Sequence, residues 1–174
     1  MGKSLNECIQ LARKMEMDGA KFYGEAAAKA VNPQAKRLFE SFAADEKRHL
    51  GIVEQMARGA GVDISNMPMP AEEIRTVFSK AKEKLGKEQT VSDDERHAIE
   101  KALVMETESY RLYEEAAAQA KDAAQKALLE RLASEEDQHY GMLVNTQEYL
   151  DDNQKWFMWK ESALLTGDMS SLGE

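Results

Sequence analysis

The chain has 174 residues, enough for one domain with a full core, of which 43% are hydrophobic and 32% charged. Its net charge of −9 leaves no basic stripe to meet phosphates, so no nucleic-acid partner is expected. A single cysteine, Cys8, excludes an intramolecular disulfide and any cysteine-based zinc or iron–sulfur module. No apolar run approaches the ~18 residues of a membrane span, and the N-terminal stretch has no signal core, so no membrane association and a cytoplasmic location are expected.

Ala, Glu, Lys, Leu and Met dominate and β-branched residues never cluster, which predicts an all-α chain. Ser4-Leu5-Asn6-Glu7 reads as a capping box that opens the first helix. One stripe of that helix carries Leu5, Ile9, Ala12, Glu16, Tyr23, Ala26 and Ala30. Asn32-Pro33 stops it and starts a second helix, with Leu38, Phe42, Glu46, His49, Val53 and Met56 on its stripe. Gly59 and Gly61 end that helix. Residues 60–70 read as a loop, and 71–85 as a short amphipathic helix with Ile74, Val77, Phe78, Ala81 and Leu85 inward.

Ser92-Asp93-Asp94-Glu95 is a second capping box. The third long helix presents Ile99, Ala102, Glu106, Tyr113, Ala116 and Ala120; a polar break at Lys121-Asp122 leads to a fourth with Leu128, Leu132, Glu136, His139, Leu143 and Thr146. A final short helix near 154–165 is expected to dock Trp156, Phe157 and Trp159 on the rest, with Glu161 a remote candidate for the site. The predicted organisation is therefore a bundle over 1–150, in halves of about 4–58 and 92–150 joined by a crossover at 59–91, and a C-terminal helix and tail over 151–174.

The two halves repeat at an offset of 90 residues. Glu16, Tyr23, Glu46 and His49 answer Glu106, Tyr113, Glu136 and His139, and KFYGEAAAKA (21–30) answers RLYEEAAAQA (111–120). The midpoint of Glu16 and Glu46 is residue 31, and that of Glu106 and Glu136 is residue 121; both fall at the predicted breaks. Helices folded back there put each Glu pair at one height, about 15 residues or ~22 Å from the turn.

Glu46 and His49 are three apart and so share a helix face, as do Glu136 and His139. All six Glu and His residues stand where the stripe is otherwise apolar. A buried carboxylate is costly unless paired with a cation, and four gathered at one level repel each other. Two divalent ions would cancel four carboxylates and leave two imidazoles neutral. Oxygen ligands with one imidazole per ion suit iron or manganese better than copper, and zinc would also fit.

These residues resemble the rubrerythrin branch of the ferritin-like di-iron carboxylate proteins. The matching stretches are Met15-Glu16 through Tyr23, Phe42 through Glu46-Lys47-Arg48-His49, Met105-Glu106 through Tyr113, and Leu132 through Glu136-Asp137-Gln138-His139. The resemblance implies a four-helix bundle with one long crossover and a centre of two Fe ions. In that centre Glu16 and Glu106 would be terminal ligands, Glu46 and Glu136 would bridge, and His49 and His139 would each cap one ion. Tyr23 and Tyr113 would stand behind the ligands and hydrogen-bond the carboxylates.

The implied activity is an oxidoreductase reacting with peroxide or dioxygen, served by an external electron-donor protein; a homodimer is the family expectation. Ferroxidase activity linked to iron handling, or a non-enzymatic metal-binding or sensing module, are the alternatives. Two departures bear on the choice. Peroxide-reducing relatives carry a further carboxylate three residues after the third-helix Glu, where this chain has Ser109, matched by Gly19 in the first half. The four cysteines of a rubredoxin module are also absent from these residues.

Overall fold

The computed structural model describes residues 3–59 and 92–151, with side chains described as far as residue 148. The expected loop at 60–70, the short helix at 71–85 and the C-terminal helix with Trp156, Phe157, Trp159 and Glu161 lie outside the described residues. Within them there are four helices and no strand: α1 (Leu5–Lys29), α2 (Pro33–Ala57), α3 (Asp93–Gln119) and α4 (Ala123–Asp151).

The helix boundaries follow from local chemistry. Ser4 and Glu7 form a reciprocal box: Ser4 Oγ accepts from Glu7 N at 3.4 Å, and Glu7 Oε2 accepts from Ser4 N at 2.7 Å. Ser92 and Glu95 repeat this at α3, with distances of 3.2 and 2.8 Å. Asn32 Oδ1 caps α2 by accepting from Gln34 N and Ala35 N, and Pro33 supplies a first helical residue that needs no amide partner. Asp122 Oδ1 accepts from Gln125 N at the start of α4. Gly59, at φ 71°, ends α2 in the left-handed conformation that a side chain disfavours.

The helices pack as two hairpins, α1 with α2 and α3 with α4. α1 runs antiparallel to α3: Lys3 meets Glu115 at one end, and Asn32 N donates to Glu95 Oε1 at the other. Glu95 thus closes its own capping box and ties the α1–α2 turn to the start of α3. α2 ends at one end of the bundle, where Glu54 pairs with Arg13 of α1, and α3 begins at the opposite end.

Two apolar clusters fill the bundle. One gathers Cys8, Ile9, Ala12, Val53, Met56, Tyr113, Ala116, Leu128 and Leu132; the other gathers Tyr23, Ala26, Leu38, Phe42, Ala102, Ile99 and Leu143. Each is largely the image of the other at the offset of 90: Ile9 and Ile99, Ala12 and Ala102, Tyr23 and Tyr113, Leu38 and Leu128, Phe42 and Leu132, Val53 and Leu143. The repeat is therefore a pseudo-two-fold that exchanges the two ends of the bundle. Each large apolar side chain buried there contributes roughly 1.5–3 kcal/mol. Together they clamp a polar layer held between them, at the level of the paired Glu and His residues.

Candidate metal centre

The six residues expected to bind metal converge in that layer. Glu16 and Glu106 enter from α1 and α3, Glu46 and His49 from α2, and Glu136 and His139 from α4. All are buried, and both histidines are fully so. They form two clusters, Glu16–Glu46–His49–Glu136 and Glu46–Glu106–Glu136–His139, each with ligand atoms within 4.8 Å of one another. The clusters share Glu46 and Glu136, the two residues expected to bridge.

Nδ1 of each histidine faces the carboxylates. His49 Nδ1 lies 2.9 Å from Glu136 Oε1 and 3.5 Å from Glu16 Oε2. His139 Nδ1 lies 3.5 Å from Glu106, 3.6 Å from Glu136 and 3.7 Å from Glu46. The rings stack with centroids 5.8 Å apart. Tyr23 and Tyr113 do hydrogen-bond carboxylates, but crosswise: Tyr23 donates to Glu106 Oε1 and Tyr113 donates to Glu16 Oε1. Each phenol serves a carboxylate of the other half.

Asp45, Glu135, Arg48 and Arg131 form an outer ring that the sequence reasoning did not single out. Glu135 is fully buried and accepts from Arg48 Nη2 and Arg131 Nε, both at 2.6 Å. Its Oε2 is 3.0 Å from His49 Nε2. Asp45 stands 3.3 Å from His139 Nε2 and accepts from Arg48 at 2.8 Å. A carboxylate only accepts, so Nε2 of each ring carries the hydrogen and, in the neutral imidazole, leaves the Nδ1 lone pair facing inward. Arg48 Nη2 also lies 3.4 Å from His49 Nε2, but the closer Glu135 decides the tautomer. A signal was present: Asp45 and Glu135 are themselves related by 90 residues, each directly before a shared Glu.

The electrostatics are those of a crowded acidic layer. Burial, then the charges of Glu16, Glu136 and Glu106, push the Glu46 carboxyl well above its usual range. Burial and the Glu136 charge raise Glu106 to about 8. Burial alone would lower both imidazoles, but the Glu136 charge at His49 and the Glu106 charge at His139 outweigh it and raise both well above the ordinary value. Glu136 is held well below its usual range, against burial, by the charge of His49 and the closeness of both imidazoles. The layer thus draws positive charge, and protons supply it when cations do not.

The residues fit a pair of divalent ions. Glu16 Oε2, both carboxylate oxygens of Glu136, His49 Nδ1 and His139 Nδ1 are buried and lack a partner in hydrogen-bond geometry, although Nδ1 of His49 lies close to Glu136. Orphaned polar atoms in a core are costly, and metal coordination is one arrangement that satisfies them together. Gly19 belongs to the same fit: a Cβ there would come within 3.0 Å of Glu46 Oε2. Ser109, its counterpart, lines a groove of about 690 Å³ between α1 and α3 with Met15, Phe22, Met105 and Leu112. Glu108 is exposed on that groove, His97 is exposed, and Cys8 is fully buried.

Four antiparallel helices around a buried, duplicated Glu/Glu-x-x-His layer define a ferritin-like protein with clusters compatible with a di-iron centre. The Rubrerythrin family profile matches residues 7–147, and the chain belongs to that family. No curated protein and no solved structure matches the chain significantly. Among the described residues, no helix is long and apolar enough to cross a membrane.

Proposed function

We propose that this chain is a nonhaem di-iron oxidoreductase whose ferrous centre reacts with peroxide or dioxygen and is re-reduced by a separate electron-donor protein. The observation that carries the reading is the pair of buried clusters sharing Glu46 and Glu136. Glu46 and Glu136 would hold both ions, Glu16 and His49 one of them, and Glu106 and His139 the other. Bound iron would supply the change of oxidation state. The chain's own residues do the rest. Four carboxylates balance two ions at +2 without further charge. Tyr23 and Tyr113 orient one oxygen of each terminal carboxylate, and Asp45 and Glu135 set the histidine tautomers. The two apolar clusters above and below limit water at the ions.

The test is metal analysis of protein purified without oxygen, followed by separate mixing of the ferrous form with peroxide and with dioxygen. Two irons per chain and oxidation by either reagent support the reading. Rates differing by ~100-fold, about 2.7 kcal/mol in barrier, identify the oxidant. One tightly bound ion per chain after saturation overturns it.

A second reading, iron oxidation for iron handling, is favoured by one observation. Ser109 and Gly19 stand where an additional carboxylate would be needed for the ligand exchange of peroxide-reducing relatives. Under this reading dioxygen consumption accompanies release of ferric iron, and added electron donor does not accelerate turnover.

A further inference from the structure

The six proposed ligands are the same residue types at matched positions, yet the residues behind them are not. Arg48 is matched at the offset of 90 by Gln138, and Arg131 by Ser41, so neither guanidinium has a counterpart under the pseudo-symmetry. Glu135 is fully buried and clamped by both arginines at 2.6 Å. Asp45 is one methylene shorter, its side chain is 16% exposed, and its bond to His139 is 3.3 Å against 3.0 Å for Glu135 and His49.

We infer that the two ion positions are unequal and fill in order: the position capped by His49 takes a divalent metal first and holds it more tightly than the position capped by His139. This rests on the dinuclear reading above.

Three effects bear on the order. Glu135 holds the ring orientation of His49 and its Nε2–H before metal arrives, so only the Nδ1 proton has to leave and little freedom remains to be lost on binding. Asp45 does the same for His139 through a longer bond with water as a competitor for its oxygens. Guanidinium charge opposes a cation, and Arg48 Nη2 lies 3.4 Å from His49 Nε2, but it is paired with the Glu135 and Asp45 carboxylates at 2.6 and 2.8 Å, which offset its charge. Arg131 is compensated by the Glu135 charge it contacts. His139 has one restraint of its own, a stack on Phe42 at 4.2 Å, where the other half has Leu132. Stacking holds the plane of a ring but carries no hydrogen-bond direction, so it does not select the tautomer. Loss of such an outer partner typically weakens metal binding 10- to 100-fold, with about tenfold enough to separate two binding steps.

The experiment is a Zn²⁺ titration of the full metal-free chain with ¹⁵N-labelled histidine rings, followed by NMR. The chain has only three histidines, and exposed His97 serves as the internal reference. The His139 ring is identified by its contact with Phe42. The expected result is a large shift of His49 Nδ1 during the first equivalent and of His139 Nδ1 during the second. Glu135→Gln should weaken the first step by about tenfold or more, and Asp45→Asn should weaken only the second. Should Glu135→Gln fail to fold, Arg131→Gln keeps the carboxylate, loosens its clamp and should weaken the first step alone. Simultaneous shifts, His139 leading, or weakening of the first step by Asp45→Asn overturns the inference while leaving two bound ions. Failure of Zn²⁺ to shift either inner ring overturns the dinuclear reading and this inference with it.

Discussion

Tyr23, on α1, donates its hydroxyl proton to Oε1 of Glu106 on α3. The bond joins the two repeated halves across the candidate centre, and Tyr113 with Glu16 is its mirror image. Burial, followed by the Glu106 charge, holds the Tyr23 phenol well above its usual range, so it stays a donor. Tyr23→Phe would keep the ring contacts with Phe39 and Phe42 and remove only that donor. A hydrogen bond to a charged group contributes about 1.5–3 kcal/mol, so the metal-loaded variant should lose stability in that range. Binding of the ion on Glu106 and His139 should weaken, while Tyr113→Phe should act on the ion held by Glu16 and His49. Urea unfolding and metal titration of both variants check this; equal weakening of both ions by each variant would sink it.

Much of this arrangement is legible in the sequence because the repeat is a constraint on chemistry. Packing alone asks for apolar residues at stripe positions, so three acidic or imidazole residues placed there twice over, in register, point to a shared ligand set. The capping boxes at Ser4 and Ser92 were equally local and readable. The crosswise pairing of the tyrosines was not, because it depends on α1 lying beside α3 in opposite direction, which no intrahelical spacing encodes. Asp45 and Glu135 were hidden for another reason: a carboxylate next to a ligand on a helix ordinarily points to solvent. Only the turn of α2 and α4 against each other swings these two under the partner histidines.

Metal removal should leave a protein whose stability falls as pH rises. Glu46, Glu106, His49 and His139 all have folded pKa values above their ordinary ones. The folded chain therefore binds their protons more tightly than the unfolded chain. Their contribution is complete below the unfolded values, about 4.3 for Glu and 6.5 for His, and is lost as pH rises through the folded values. For Glu106 that value is about 8. Glu136 and Glu135 act in the opposite sense: both are depressed, Glu135 to about 2 by hydrogen bonds from His49, Arg48 and Arg131 that outweigh burial, and their contribution is lost as pH falls. Metal-free protein should thus be most stable between about pH 4.5 and 6.5. Bound metal replaces the protons, so the loaded protein should gain most over the metal-free form at the alkaline end. Unfolding midpoints of both forms across this range measure it; a metal-free stability that climbs steadily toward alkaline pH contradicts the account.

Gly19 offers a test in which two signs oppose. Glycine inside a helix costs about 0.5–1 kcal/mol relative to alanine, so Gly19→Ala should strengthen α1 wherever Glu46 is free to give way. The new Cβ would meet Glu46 at 3.0 Å from Oε2, 3.2 Å from Cδ and 3.4 Å from Cγ. In metal-free protein the carboxylate can swing aside. A carboxylate that holds two ions cannot. The variant should therefore be as stable as the parent or more so without metal, yet bind metal about tenfold more weakly, a cost of about 1.4 kcal/mol. Denaturation of the metal-free forms and competitive metal titration separate the two effects, and an unchanged affinity would mean that Glu46 is not fixed at the ions.

The sharing of Glu46 and Glu136 between the two clusters predicts a division among ligand variants. Removing a residue that touches one position should cost mainly the ion there. Glu16→Ala and His49→Ala should accordingly leave an ion held by Glu46, Glu106, Glu136 and His139. Removing a shared residue withdraws an oxygen from both positions and also takes away negative charge that each ion needs. Glu136 is the sharper case, since it lies 2.9 Å from Nδ1 of His49 and 3.6 Å from Nδ1 of His139 and so touches both capping residues. Glu46→Ala and Glu136→Ala should therefore lose both ions or bind both far more weakly, by at least the 10- to 100-fold typical of a disrupted coordination shell. Elemental analysis after equilibration at a fixed free metal concentration distinguishes the classes, with circular dichroism confirming that each variant remains helical. A Glu136→Ala protein that folds and keeps one ion at the parent affinity would show that this carboxylate serves a single metal, and the dinuclear arrangement would have to be abandoned.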